Sequence, residues 1–135
     1  MFKFHCDITF YKLRKVNKMK NLNTKQARKE IASLIRDYSF YSEFCTKFCD
    51  LCYTEDRELN IIESRYYSSQ WHYYSYMEKA AEVKLAEIGI FVNRDLSEER
   101  LQEWNWDEYS ETFNALLTKA NKYEREYEDM KKAVA

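Results

Sequence analysis

Three cysteines stand close together in this chain: Cys45, Cys49 and Cys52, with the spacing C-x3-C-x2-C. Thiols grouped this closely are potential metal ligands, although a metal site would want a fourth ligand, which Cys6 or His5 could supply only by folding back. A second pair worth weighing is Arg65 and His72, in the pattern R-x6-H. Beyond these, the residue types exclude more than they offer. The chain has two histidines, so neither a Ser–His–Asp nor a Cys–His arrangement suggests itself. One Gly and no Pro leave no material for a glycine-rich loop that cradles phosphate. No Glu-x-x-His pair marks a di-iron bundle. Carboxylates are plentiful, but many stand four residues from a base, as in Glu128–Lys132 and Lys122–Glu126, which is ordinary support for a helix surface.

The cysteine spacing resembles the cluster-binding motif of radical S-adenosylmethionine enzymes, over eight residues. Members of that family carry the motif on a loop of a larger α/β barrel with glycine-rich cofactor segments. Here the cysteines fall inside a helical repeat, where Cys45 and Cys52 take seam positions and Cys49 flanks Phe48. They read as small buried apolar residues, and neither metal nor cofactor is expected. The Arg65–His72 pattern resembles that of the HEPN ribonucleases, a small, all-helical and often dimeric family. The resemblance implies metal-independent RNA cleavage in a cleft between two subunits. Arg65 would then stabilise phosphate charge and His72 would transfer a proton. That family usually has a polar residue after the arginine, where this chain has Tyr66. The simpler reading is a solvated arginine and a surface histidine.

The elements that must position these residues are helices. Ala27, Ile31, Leu34, Tyr38, Tyr41, Cys45, Phe48 and Cys52 alternate spacings of four and three, the heptad seam of helices packed side by side. Asn23 and Gln26 offer a capping box, so the first helix is expected over about 24–53. A second helix is expected over 55–88, capped by Thr54, with a seam of Leu59, Ile62, Tyr66, Ser69, Tyr73, Tyr76, Ala80 and Val83. Gly89 should end it in a left-handed C-terminal cap, with Ile90 beside Leu85. Ser97 is expected to cap a short helix near 97–104, with Leu96 and Leu101 as a hydrophobic staple. Asn105 and Glu108 mark a bend near Trp104. Tyr109, Phe113, Leu116, Ala120, Tyr123, Tyr127, Met130 and Val134 continue the repeat to the end of the chain. Short connections favour antiparallel neighbours. The expected fold is all-α: an elongated antiparallel three-helix bundle with coiled-coil-like seams over 24–135, after a basic arm over 1–23. In that arm Phe2, Phe4, Cys6, Ile8 and Phe10 alternate with polar residues like a strand, and Met19 offers an alternative start.

Two surface features bear on function. Tyr66, Tyr67, Trp71, Tyr73, Tyr74 and Tyr76 cover more of a helix circumference than one apolar stripe needs. Either the second helix is central and buries them, or part of the band is exposed for docking. Charge is also uneven. Bases dominate residues 1–36 and acids dominate 37–135. From 95 to 111 the chain carries Asp95, Glu98, Glu99, Glu103, Asp107, Glu108 and Glu111 against Arg100 alone. Arm and body could neutralise each other, or the acidic segment with Trp104 and Trp106 could dock on a basic surface.

The expectation is therefore a non-enzymatic protein-interaction module with no cofactor, binding a protein partner through Trp71, Tyr74, Tyr76, Trp104, Trp106, Glu103 and Asp107. Wealth in Tyr, Phe, Lys and Asn suggests AT-rich coding, and with it a phage- or mobile-element-type inhibitor or adaptor that acts on a larger host protein such as a nucleic-acid enzyme. A nucleic-acid binder using Lys12, Arg14, Lys15, Lys18 and Lys20 is the first alternative, and the HEPN-like ribonuclease with Arg65 and His72 catalytic is the second. A homodimer is compatible with all three. No apolar run is long enough for a transmembrane helix and no signal peptide is evident, so no membrane partner and a cytoplasmic location with reduced thiols are expected, the host cytoplasm if phage-encoded.

Overall fold

The computed structural model describes residues 24–54 and 57–134, and among them the chain is all-α, with no strand. The elements are α1 (Lys25–Cys52), α2 (Ile61–Glu87), α3 (Arg94–Glu103), a 3-10 turn (Trp106–Glu108) and α4 (Tyr109–Val134). The strand-like alternation in the arm and its basic residues lie outside the described residues.

In α1, Ala27, Leu34, Tyr41 and Phe48 are buried at every seventh position, and Ile31, Tyr38, Cys45 and Cys52 between them are half-buried. This is the seam read from the spacing, turned toward α2. Thr24 caps the helix by accepting the Ala27 N–H at 3.1 Å. The cap falls one residue beyond Asn23, which is itself outside the described residues.

The start of α2 departs from expectation. Helix begins at Ile61, not after Thr54, because Asn60 and Glu63 form a full capping box. The Asn60 side chain accepts the Glu63 N–H at 2.8 Å, and the Glu63 carboxylate accepts the Asn60 N–H at 3.1 Å. Arg57 also grips both oxygens of Glu63, holding its carboxyl below the usual carboxylate range. The other end is as expected. Gly89 has φ of 87°, Ile90 N–H donates to Leu85 at 2.9 Å, and Gly89 N–H donates to Ala86 at 3.0 Å.

α3 likewise starts earlier than its spacing suggested. Asn93 is the cap, accepting the Leu96 N–H, and Ser97 lies inside the helix. The Ser97 hydroxyl donates instead to the buried carboxylate of Glu82, a tertiary contact that local spacing does not reveal. Leu96 is exposed, so the Leu96–Leu101 staple does not form a buried contact. The bend at Trp104 is present, and Asn105 caps the 3-10 turn through the Asp107 N–H at 2.9 Å.

α2 is the shared middle helix. Leu34 packs near Leu85 and Ile88 while Phe48 meets Tyr66 and Tyr67, so α1 runs antiparallel to it. On the α4 side, Tyr109 O–H reaches Met77 Sδ, Gln70 Nε2 donates to Ala120 O, and Asn60 meets Met130, again antiparallel. From Ala80 to Ala86 every side chain of α2 is buried, Glu82 and Lys84 included. No helix of the described residues is long and apolar enough to cross a membrane.

Candidate functional site

The aromatic band is packed within the chain. Tyr67 and Tyr73 are 6% and 2% exposed, and Tyr66, Trp71, Tyr74 and Tyr76 are half-buried. Tyr66 stacks on Tyr127 at 4.3 Å between ring centres, and Tyr74 lies parallel to Phe48 at 5.8 Å. Tyr76 stacks on both Trp104 and Tyr109, at 5.1 and 5.8 Å. Trp71 meets Tyr53 edge-on and stacks on His72. Burial pushes the phenols up, those of Tyr66 and Tyr67 to about 12. A helix flanked by α1 and α4 needs apolar surface on two sides, which accounts for a band wider than one stripe. Of the residues expected to dock a partner, Tyr74 and Tyr76 pack against the buried core, whereas Trp71 is half-buried and touches the exposed rings of Tyr53 and His72.

Trp104 and Trp106 also turn inward. Trp104 packs on Tyr76 and Trp106, and the Trp106 indole N–H donates to Glu87 at 3.0 Å. Lys84 Nζ lies 5.7 Å from the centre of the Trp106 ring. Glu103 and Asp107, by contrast, stand in solvent. So do Asp95, Glu98, Glu99, Glu108 and Glu111. The segment's one base does not screen them closely, because Arg100 turns inward to pair with Glu82, whose side chain is 1% exposed. The same carboxylate accepts the Ser97 hydroxyl, so both its oxygens are satisfied from α3. Beside the acids, Phe91, Val92 and Leu96 are exposed. A groove of about 370 Å³ runs between α2 and α3, lined by Lys79, Leu96, Glu99, Arg100, Glu103 and Trp104.

Arg65 and His72 are brought together with residues that the sequence reading did not connect to them. Both are exposed on the face of α2 next to α4 and line one groove of about 210 Å³ with Ser64, Ser68, Ser69, Lys119 and Tyr123. The guanidinium lies 5.9 Å from the centre of the Tyr123 ring, and Lys122 Nζ lies 5.5 Å from it. A buried hydrogen bond, Gln70 Nε2 to Ala120 O at 2.9 Å, pins the two helices together beside the groove. Lys119 and Tyr123 were missed because the α2–α4 register joins them to Arg65. That register could have been drawn by running the two seams antiparallel.

The cysteines sit within α1, half-buried, and not on a loop. Burial pushes the Cys45 and Cys52 thiols up, while hydrogen bonds with Ser75 and Trp71 pull that of Cys45 partly back. Thiols in this state are poor nucleophiles. Among the described residues no group of three His, Cys, Asp or Glu is gathered where one metal ion could be held. Lys12, Arg14, Lys15, Lys18 and Lys20 lie outside the described residues. Comparison of the chain with protein families, with curated proteins and with solved structures finds no match.

Proposed function

We propose that this chain is a non-enzymatic helical interaction module that docks its 95–111 face on a basic surface of a larger protein. The observation that carries this reading is the inward turn of Arg100. It leaves every carboxylate of 95–111 in solvent, with exposed Phe91, Val92 and Leu96 alongside. Asp95 and Glu111 sit in the first turns of α3 and α4, where the helix dipole favours them, but like charges crowded on one face also repel, so a face of this kind makes sense when a partner supplies the opposite charge. Apolar side chains beside the acids would add contact area that does not weaken with salt. The groove of a nucleic-acid enzyme offers such a basic surface, and a small acidic protein bound there would act as an inhibitor or adaptor. The AT-rich character of the sequence agrees with a phage or mobile-element source for such a protein.

The test is capture from a bacterial lysate by the wild-type chain and by the double variant Glu103→Lys, Asp107→Lys, with duplex DNA as competitor. A partner lost with the variant and displaced by DNA supports the reading. A partner retained equally by both chains, or no stoichiometric partner at low salt, contradicts it.

A further inference from the structure

The groove between α2 and α4 is the counterpart of the acidic face, and it is free of acid. Acids outnumber bases after residue 36, yet among the described residues no carboxylate lines this groove. The helical neighbours three and four positions away make the same point, since those positions supply the nearest partners on a helix surface. Around Arg65 they are Ile61, Ile62, Ser68 and Ser69, and around His72 they are Ser68, Ser69, Ser75 and Tyr76. Around Lys119 they are Ala115, Leu116, Lys122 and Tyr123. Not one is Asp or Glu, and the described residues give none of the three side chains an ion pair. Two bases and an imidazole thus face one concavity, with the hydroxyls of Ser64 and Ser68 between them. The Ser69 hydroxyl is already engaged, donating to Tyr66 O at 2.9 Å.

We propose that this groove binds a phosphate-class oxyanion, held by Arg65 and His72 from α2 and Lys119 from α4. Each group suits the role. The guanidinium offers paired N–H donors, the ammonium a mobile point charge, and the serine hydroxyls short neutral donors. Tyr123 keeps the Arg65 plane beside the groove, which lowers the ordering cost of binding. The site is built within one chain and requires no second copy. It is also separate from the acidic face, because its residues come from the N-terminal half of α2 and the middle of α4.

The experiment is an NMR titration of the full chain with sodium pyrophosphate at low ionic strength, following the His72 imidazole and the amides of Ser68 and Lys119. A 5′-phosphorylated single-stranded oligonucleotide is titrated in parallel. Saturable shifts at these positions are expected, weakened about tenfold by either Arg65→Gln or Lys119→Gln and unchanged by Lys131→Gln. Tighter binding of the oligonucleotide than of pyrophosphate assigns the phosphate to nucleic acid, and equal or weaker binding assigns it to a small molecule. Absence of saturable shifts, or identical shifts in Arg65→Gln, overturns the proposal. All the substituted side chains are exposed, so the variants should fold, and unchanged circular dichroism checks that they do.

Discussion

Arg100 and Arg65 belong to the two charged regions of this molecule, and they are used in opposite ways. Arg100 lies in the most acidic stretch of the chain and turns away from it, pairing with a carboxylate buried on the neighbouring helix. Arg65 lies in a patch without acids and stays in solvent, resting against Tyr123. The first arginine is part of the architecture: it fastens α3 to α2 by pairing with the carboxyl that α2 buries. The second contributes little to the fold and is available to a ligand. In the acidic face a cation is withdrawn, and in the groove anions are left out. Each region keeps one sign of charge in excess, the acids of 95–111 over nearby Lys79 and Arg94 and the bases of the groove over no acid among the described residues that line it, and net charge near zero conceals both.

Removing each arginine in turn probes this contrast at its extremes. Arg100→Ala should have the largest effect, about 3–5 kcal/mol of lost stability in urea unfolding, because Glu82 would be left buried without its partner. A loss below about 1 kcal/mol would mean that Glu82 finds another partner.

Alkaline unfolding comes next and tests whether the rings between the two regions are interior. The Tyr66 and Tyr67 phenols are raised from 10.0 to about 12 by burial, and burial also raises Tyr38, Tyr41, Tyr73, Tyr74 and Tyr76. Above pH 10 the unfolded chain loses these protons while the folded chain keeps them. Stability is therefore full below pH 10 and should fall steeply as pH rises toward 12. Thermal melts at pH 9, 10 and 11 would show it. A midpoint flat across that range would mean that the phenols are solvated.

Asn60→Ala should cost about 1 kcal/mol, since it removes the cap that starts α2. An unchanged midpoint would restore Thr54 as the start of the helix. Smallest of all, Arg65→Ala should leave stability within about 0.5 kcal/mol of wild type. A larger loss would make Arg65 a second structural arginine and erase the contrast.

The sequence was legible where structure is local. The seams of α1 and α4 follow from spacings of four and three, and Gly89 from the need for a left-handed residue after α2. Helix starts were less legible, because several residues can cap and the choice among them is tertiary. Ser97 has the right chemistry to cap α3, but Glu82 takes its hydroxyl, and Asn93 caps in its place. The exposure of the aromatic band was not legible either. The same pattern serves a central helix and a docking helix, and only the presence of α1 on one side and α4 on the other decides between them. The groove required the pairing of Arg65 with Lys119, more than fifty residues apart, which no local pattern encodes. The direction of Arg100 was hidden for the same reason.

The claim that most depends on that direction is the excess of acid on the 95–111 face, and a double-mutant cycle between Glu82 and Arg100 tests it most directly. Unfolding free energies of wild type, Glu82→Gln, Arg100→Ala and the double variant give the coupling between the two side chains. Coupling of about 1–3 kcal/mol is expected if Arg100 is committed to Glu82. Coupling near zero would place Arg100 among the acids of 95–111, screening the surface on which the proposed docking rests.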